Sequence, residues 1–468
     1  MEVTNWGSLI KTRPSKVKEV FKVQDIIDVV KDPVQFPSPV RALGSRHSPT
    51  KCIDADSGTV LDMRHLSYIN EPDETEMTLT VGGGTIYYDI VHFLEARGFM
   101  LRVNTEIGML TAGAAVMGQT KDSAFPGEYG QVSSEVVAVK LVTAQGEILE
   151  VSEKNDPEFM KFVRCSYGML GVAFEVTFRI VPLRLMRVYH KHFTVPEFIE
   201  QLADIRAARA ALMYYMMPMR GLVVVEYRTY APDESEEDGI QREPGVVHNK
   251  HLLPLGDSSI LAVRNFIWAK LNPVTSRLLL SVPRLLSVPG FWLANNLLFS
   301  GFNFTASHRH LPAAQVITYP EDPPASTVFT FSIMSFTADK FKEAMTAYYK
   351  FVLDYHDRTG WNVSMMDVGY RLFHDDKSYL SYTDGGESWT IDPVTNPNSG
   401  WYPFLKEFNK LGASFGGKPL LNQTPLLTAD HFHAAFGPQI RQFNVHRKRM
   451  DPDNRFLSTF FKDLYQCS

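Results

Sequence analysis

A stretch rich in glycine and serine lies between two apolar segments near the N-terminus. The sequence RALGSRHSPTKC, residues 41–52, places five residues side by side: Gly44, Ser45, Arg46, His47 and Ser48. A loop of this composition exposes backbone N–H groups at close range, which suits a phosphate. The stretch therefore predicts a tight loop. Two interpretations of its imidazole stay open, a solvent-exposed side chain or a group that contacts a ligand held by the loop.

The first 182 residues alternate short apolar runs with glycine turns. Residues 78–98, TLTVGGGTIYYDIVHFLEARG, predict a strand, a turn at Gly82–Gly84 and an amphipathic helix that stops at Gly98. The apolar residues at helical spacing, which would form the buried face of this helix, are Ile86, Ile90, Phe93 and Leu94. Residues 133–152 predict two strands, and residues 156–182 predict a helix, a glycine break and a strand. The fold class is therefore α+β.

Length and charge narrow the class of protein. A chain of 468 residues exceeds one ordinary core, so two domains are expected. The net charge of −5 gives no electrostatic case for nucleic acid. Cys52, Cys165 and Cys467 form neither a disulfide framework nor a metal-type spacing, which favours a reducing compartment. The N-terminus lacks the apolar core of a signal peptide, and no window holds ~18 uninterrupted apolar residues, so we expect a cytoplasmic protein.

A second region, residues 183–424, is expected to hold the substrate. Residues 221–231 and 326–338 predict long alternating strands of one antiparallel sheet. Residues 339–360 predict an amphipathic helix that ends at Gly360. The remaining residues, 425–468, predict a helix and a basic turn that return to pack on the first domain, residues 1–182.

Residues 258–304 interrupt apolar runs with arginine, lysine and proline. One interpretation is a set of buried helices that cover the substrate sheet. The other is peripheral contact with a membrane or a lipid-like substrate, because basic residues interleaved with Trp, Phe and Leu are typical of interfacial helices.

Several segments together resemble the vanillyl-alcohol oxidase superfamily, whose FAD-binding domain is of the PCMH type. Residues 42–50, ALGSRHSPT, are similar to the family's diphosphate loop, and residues 108–125, GMLTAGAAVMGQTKDSAF, are similar to its second flavin loop, usually TLAGAISTGTHGSG. Residues 447–456, RKRMDPDNRF, resemble the tail motif RLDPDGRF. The subgroup that agrees best is that of the aldonolactone and alditol oxidases. The resemblance implies a two-part FAD-binding domain followed by a substrate domain with a large antiparallel sheet flanked by helices.

The resemblance also implies which residues hold the flavin. Diphosphate contacts carry over to Gly44, Ser45, Arg46 and Ser48. In covalent members a histidine at the position of His47 carries FAD through its 8α carbon. The second loop would line the flavin with Glu106, Thr111, Gly113, Ala114, Gly118 and Gln119, and Val172 would touch it through its backbone.

Three departures concern the catalytic groups. The histidine of the family's GTHG is missing, because the second loop reads Gly118-Gln119-Thr120. The subgroup's ExR motif matches residues 367–376, DVGYRLFHDD, where Arg371 fits the arginine and Gly369 replaces the glutamate. The subgroup's GRPHWGK appears as GGKPLLNQ, with Lys418 in the arginine position and Gln423 replacing the lysine. Arg371 and Lys418 are expected to stabilise developing negative charge, and the candidates for a general base are Tyr370, Tyr379, Tyr382 and His446.

These residues favour a substrate less polar than a sugar polyol. A buried hydroxyl without a partner costs ~1–3 kcal/mol, so a polyol site needs many polar groups. Leu420 and Leu421 instead replace the subgroup's histidine and tryptophan. A methionine cluster at Met213, Met216, Met217 and Met219 either lines a pocket or packs in the core.

Three functions stay open. The first is an FAD-dependent alcohol oxidase or dehydrogenase, which passes electrons from a small molecule to O₂ or another acceptor. The second is a membrane-associated flavin reductase or dehydrogenase for a sterol- or lipid-like substrate. The third is a flavin-holding interaction protein without turnover. The sequence gives no oligomeric state.

Overall fold

A small parallel sheet follows an antiparallel pair of two-residue strands at the start of the chain. The computed structural model describes residues 2–230, 263, 309–312 and 328–465. The first elements are β1 (Val3–Thr4), β2 (Lys11–Thr12), β3 (Lys16–Glu19), α1 (Val23–Lys31), β4 (Val40–Leu43) and β5 (Thr59–Asp62). Strands β3, β5 and β4 pair in parallel in that order. Ile26 and Val29 of α1 pack with Val40 and Leu61 of the sheet, so the helix covers the sheet. Strand β4 ends at Leu43, immediately before the glycine loop that begins at residue 44.

An antiparallel sheet follows. Its elements are β6 (Thr78–Gly82), α2 (Tyr87–Glu95), β7 (Phe99–Met100), α3 (Ala112–Met117), β8 (Val136–Val142), β9 (Ile148–Ser152), α4 (Pro157–Val163), β10 (Val172–Arg179) and β11 (Val181–Pro182). The sheet order is β6-β10-β8-β9. Gly146 has φ +75° in the turn between β8 and β9, and Asp156 caps α4 through the N–H of Phe159. Helices and sheet together confirm the predicted α+β class.

The buried face of α2 differs from the prediction. The helix begins at Tyr87, because Ile86 is its extended N-cap residue. The fully buried residues are Tyr87, Ile90, Val91 and Leu94, whereas Phe93 is half-buried. The observed buried face is therefore rotated by about one residue from the predicted face, which included Ile86 and Phe93.

The third part of the chain is a large antiparallel sheet with helices packed against it. Its order is β15-β12-β14-β13-β18-β19-β17-β21 for the strands bounded below, and Trp389, Tyr214, Phe341 and Phe404 share its core with the helices. The elements are β12 (Leu185–Thr194), α5 (Val195–Glu200), α6 (Leu202–Ala207), β13 (Ala211–Met217), β14 (Leu222–Tyr230), β15 (Arg309–Pro312), β16 (Thr330–Phe331), β17 (Met334–Thr337), α7 (Ala338–Thr359), β18 (Asp367–Leu372), β19 (Ser388–Ile391), β20 (Val394–Thr395), α8 (Trp401–Ser414) and β21 (Lys418–Pro419). The predicted large sheet flanked by helices is confirmed.

The described part of the predicted strand 326–338, residues 328–338, does not form a single long strand. Strand β16 pairs with β20, whereas β17 pairs with β19 and β21, so the chain changes sheets between them. The break lies at Ser332 and Ile333, where the Ile333 carbonyl accepts from the Thr424 hydroxyl at 2.5 Å. Helix α7 does end where predicted, at Gly360 with φ +69°.

The tail packs against the first parallel sheet. Its helices are α9 (Ala429–Met450) and α10 (Thr459–Tyr465). Between them, Arg455 donates to the carbonyls of Val29 (2.5 Å) and Val30 (3.2 Å) at the end of α1. The buried Arg41 of β4 donates to the carbonyl of Phe456 at 2.9 Å.

Residues 258–304, with their two interpretations, lie outside the described residues apart from Val263. Among the described helices, none combines the length and the apolar character that a bilayer crossing requires.

Candidate active site

One cavity of about 410 Å³ joins the glycine loop of the first sheet to the large antiparallel sheet. Within the described residues, its lining comes from loop 44–48, the second loop around residues 105–121, the start of β10 and the inward faces of β13 and β18. The predicted site residues that line it are Gly44, Ser45, Arg46, His47, Ser48, Glu106, Thr111, Gly113, Ala114, Gly118, Tyr370 and Gln423. Residues from the first 182 residues and from the described parts of 183–424 therefore meet around a single space.

The N-terminal segment holds the glycine loop in place. The backbone N–H of Trp6 donates to the Arg46 carbonyl at 3.0 Å, and its indole N–H donates to the His47 carbonyl at 2.9 Å. The Trp6 and His47 rings lie 5.3 Å apart at 31°. Arg46 has φ +61°, so the loop turns sharply immediately before the imidazole. These contacts fix the half-buried His47 at the cavity wall.

Ser48 connects the loop to the end of the substrate domain. Its hydroxyl lies 2.5 Å from the Asn422 carbonyl and also accepts from the Cys52 thiol at 2.9 Å. The Ser48 side chain is therefore engaged within the protein.

Glycines bring the two loops to within van der Waals contact. A Cβ on Gly44 would lie 2.1 Å from Oγ1 of Thr111. A Cβ on Gly83 would lie 2.7 Å from the Ala173 carbonyl, and one on Gly113 would lie 3.0 Å from the Gly83 carbonyl. Because these positions accept only hydrogen, the backbone itself forms this end of the cavity, as binding of a diphosphate through main-chain N–H groups requires.

Gln119 and Val172 do not line the cavity, although both were expected to contact the flavin. The Gln119 side chain accepts from the Tyr167 hydroxyl at 2.7 Å and from the Leu421 N–H at 3.0 Å, so it connects the second loop to the substrate domain. Val172 packs in the core beneath the first sheet, because its side chain points to the opposite face from that of Ala173.

A cluster of four ionisable side chains forms the polar corner of the cavity. The Tyr370 hydroxyl donates to Glu106, and the Lys121 ammonium lies 2.9 Å from Asp392 and 3.3 Å from the centroid of the Tyr370 ring. Burial raises the pKa of Glu106 to about 7, against the opposing effect of the Tyr370 hydrogen bond. Burial also lowers the pKa of Lys121 and raises that of Asp392 to about 6, while their mutual attraction opposes both shifts. Perturbed pKa values of this kind are typical of functional sites.

The rest of the lining from the substrate domain is mixed. Its apolar side chains come from the end of β13, from residues around β16, and from β18 and the segment before it: Met217, Met219, Phe329, Phe331, Met365, Met366 and Val368. Arg220, Asn362 and Ser364 of the same segments also line the cavity. Met213 and Met216 are fully buried and do not line the cavity. Each interpretation of the methionine cluster therefore holds for two of its members: Met217 and Met219 line the cavity, whereas Met213 and Met216 pack in the core.

Arg371 and Lys418 lie outside the cavity, contrary to expectation. Side chains alternate along β18, so Tyr370 faces the cavity and Arg371 faces away from it. Arg371 is paired with Glu387 at 3.0 Å. Lys418 is paired with Asp384 on the far edge of the sheet.

Three further candidates for a base are also elsewhere. His446, which lies on α9, stacks on Phe162 with a distance of 4.0 Å between the ring centroids. Tyr379 stacks on the same phenylalanine, with ring centroids 4.2 Å apart. Tyr382 is fully buried and does not line the cavity. Of the predicted candidates for a base, Tyr370 is therefore the one that the cavity contains.

Lys121 and Asp392 are site residues that the sequence analysis missed. Lys121 follows the Gly118-Gln119-Thr120 departure, where a charged residue next to the position of the missing histidine was an available signal. Asp392 gave no such signal, since it lies in a two-residue turn between β19 and β20, remote in sequence from every recognised motif.

Two protein families match separate parts of the chain. The FAD binding domain family matches residues 14–152, and the D-arabinono-1,4-lactone oxidase family matches residues 336–464. The first match contains both flavin loops. The second match contains Tyr370, Asp392 and Gln423.

Among curated proteins, D-arabinono-1,4-lactone oxidase of Candida glabrata is 28% identical over 181 residues, 38% of this chain and 34% of that protein. L-gulonolactone oxidase of Bos taurus is 26% identical over 200 residues, 43% of this chain and 44% of that protein. The matched stretches thus span less than half of these relatives. The solved structure of cholesterol oxidase from B. sterolicum superposes with a TM-score of 0.73 at 15% identity and covers 99% of this chain and 96% of that one, which is a likeness of fold.

Proposed function

We propose that this chain is an FAD-dependent oxidoreductase of the PCMH-type superfamily that acts on a CH–OH group, because residues 14–152 match the FAD binding domain family and residues 336–464 match the D-arabinono-1,4-lactone oxidase family. When bound, FAD supplies the acceptor for a hydride, N5 of its ring. The observation that carries the proposal is the shared cavity, which residues of the two flavin loops and of a separate substrate sheet line together, with a polar corner to which the second loop and the sheet both contribute.

The cradle of the two loops fits FAD. Gly44, Ser45, Arg46 and Ser48 would hold the diphosphate, with Gly44 and Gly113 allowing the backbone to approach it closely. Glu106, Thr111, Gly113, Ala114 and Gly118 would line the rest of the flavin from the second loop. The cavity is lined by Gly171 and Ala173 on either side of Val172, so the start of β10 would contribute through these neighbours rather than through Val172 itself.

We further propose that His47 carries the flavin covalently through the 8α carbon. Its ring is held against Trp6 at the cavity wall, and both of its neighbours in the loop line the same space. Such a tether raises the potential of the flavin in the family, which favours substrate oxidation. Tyr370 and Gln423 would face the substrate, because both line the cavity from the substrate domain.

The substrate is expected to carry few hydroxyl groups. Methionine, phenylalanine and valine side chains make up much of the lining from the substrate domain, although Arg220, Asn362 and Ser364 line it too. Each sugar hydroxyl buried against the apolar side chains would lose its hydrogen bonds to water at a cost of ~1–3 kcal/mol. An apolar molecule with one reactive alcohol therefore fits better than an aldonolactone.

An absorption spectrum of purified protein, repeated on the supernatant and pellet after acid precipitation, tests the cofactor and its attachment. The wild type should be yellow and keep its flavin in the pellet. His47→Ala should release the flavin to the supernatant while keeping the fold, and His65→Ala, an exposed histidine stacked on Phe21, is the control that should behave like wild type. Complete release from the wild type would refute the tether, and colourless protein that stays colourless with added FAD would refute the whole proposal.

Anaerobic bleaching of the flavin by a panel of alcohols then tests the reaction. Peroxide release in air would identify O₂ as the electron acceptor. Consumption of NADPH without peroxide, with activity in membrane fractions, would instead favour the sterol- or lipid-directed reductase. Failure of every compound to bleach the flavin would favour the interaction protein.

A further inference from the structure

Glu106 and Tyr370 come from separate elements and meet at the cavity. Glu106 belongs to the second flavin loop, and Tyr370 lies on β18 of the substrate sheet. The Tyr370 hydroxyl donates to a Glu106 carboxylate oxygen, and both residues line the cavity. A hydroxyl bound in the cavity can therefore reach the phenol oxygen while the phenol is hydrogen-bonded to the carboxylate.

The two groups differ in what they can do with a proton. Burial, together with the charge of Glu106, raises the pKa of Tyr370 well above its ordinary value, so the phenol stays protonated. Burial brings the pKa of Glu106 to about 7, which matches a base that works near neutral pH. The phenol is thus suited to transferring a proton, and the carboxylate is suited to accepting and holding it.

Resting on the alcohol oxidation proposed above, we propose that Tyr370 and Glu106 form the proton relay of the active site. The substrate O–H bond breaks and its proton moves to Oη of Tyr370, while the phenolic proton moves to Glu106. The carbon–hydrogen bond breaks with its electron pair as a carbonyl forms, so the substrate loses two electrons. FAD held by the two loops would accept them as a hydride, and Glu106 ends as a carboxylic acid.

The charges around Glu106 set the pH dependence of this step. Besides Tyr370, the groups that face it are Lys121 and Asp122 of the second loop, Glu226 and Arg228 of β14, and Asp392 after β19. Arg228 bridges Asp122 at 2.8 Å and Glu226 at 2.6 Å, and Lys121 pairs with Asp392, so each of these charges has a partner of opposite sign. Because Glu106 must be ionised to accept the proton, the rate of flavin reduction should rise with pH through about 7.

The chain contains a matched control. Glu128 is also half-buried, also accepts from a tyrosine hydroxyl, that of Tyr230 at 3.3 Å, and burial also raises its pKa to about 7. It does not line the cavity. If the effect of Glu106→Gln came only from removing a buried carboxylate, Glu128→Gln should show the same effect. If it comes from loss of the relay, Glu128→Gln should behave like the wild type.

The test is anaerobic stopped-flow reduction of the flavin by an alcohol that bleaches the wild type, across pH. Glu106→Gln and Tyr370→Phe should keep their flavin but reduce it ~10²-fold more slowly or worse, and Glu106→Gln should lose the pH dependence near 7. Glu128→Gln should keep the wild-type rate and profile. A wild-type rate and profile in Glu106→Gln would overturn the relay while leaving the proposed function intact.

A second measurement does not depend on turnover. The infrared carboxyl difference between oxidised wild type and Glu106→Gln, followed with pH, reports the ionisation of Glu106 alone. It should titrate near neutral pH, and Tyr370→Phe should move it upward, because the hydrogen bond to the carboxylate is lost. Titration in the ordinary range of a glutamate, or no response to Tyr370→Phe, would overturn the relay even if no alcohol bleached the flavin.

Discussion

Replacement of Gly44 by alanine should separate the two flavin loops. The added Cβ would lie 2.1 Å from Oγ1 and 2.9 Å from Cγ2 of Thr111, far inside van der Waals contact. Thr111 is 1% exposed and precedes α3, so it has no space into which to turn. Overpacking of this kind costs ~1–3 kcal/mol of unfolding free energy. Since both residues line the flavin end of the cavity, flavin content should fall as well.

The clash can be relieved from the other side. Thr111→Gly removes every side-chain atom that the new Cβ would meet, and glycine is well tolerated at an N-cap. The double variant Gly44→Ala/Thr111→Gly should therefore recover most of the loss, with a coupling of ~1–2 kcal/mol between the two sites. Gly437→Ala is the control, because a Cβ there meets no atom within 4 Å.

Urea unfolding and the flavin-to-protein absorbance ratio measure both effects. The steric reasoning is refuted if Gly44→Ala is as stable and as yellow as the wild type. It is equally refuted if the double variant shows only the sum of the two single losses.

Two further substitutions test the charges that hold the site and the tail. Lys121→Met should lower the unfolding free energy by ~3–5 kcal/mol, since it leaves Asp392 buried without its partner. Lys121→Met/Asp392→Asn should recover much of this loss when both variants are unfolded in urea. Equal stability of the single and double variants would contradict the ion pair. Arg455→Met should cost ~2–3 kcal/mol, because it removes bonds from a charged group to the carbonyls of Val29 and Val30, and it should speed proteolytic cleavage of the tail without changing the cavity; an unchanged cleavage rate would argue against tail docking through this residue.

The backbone parts of the site were predictable because they depend on local sequence. Gly44, Gly113 and Gly118 lie in loops whose composition allows close approach of the main chain, and each lines the cavity. The identity of the side chain that makes Gly44 necessary, Thr111, was not predictable from composition, since it depends on how two separate loops pack.

The side chains of the substrate sheet were harder to assign. Tyr370 and Arg371 are neighbours on β18 and both are buried, so no alternation of polar and apolar residues indicates which face meets the cavity. The family motif pointed to the arginine, but its Glu387 partner holds it on the other face. The pairing of Lys121 with Asp392 could not be foreseen for a related reason, because an ion pair across 271 positions leaves no local pattern.

Gln119 explains how the two halves of the site keep their relative positions. Its side-chain amide donates to the Leu380 carbonyl at 2.8 Å and accepts from the Leu421 N–H, and its own carbonyl accepts from Gln423 at 2.5 Å. A residue expected to contact the flavin thus connects the flavin loop to two segments of the substrate domain. Hydride and proton transfer both depend on distances fixed to fractions of an ångström. The polar contacts of this fully buried side chain can hold Glu106 and Tyr370 in register, which a purely apolar interface between the two halves would do less well.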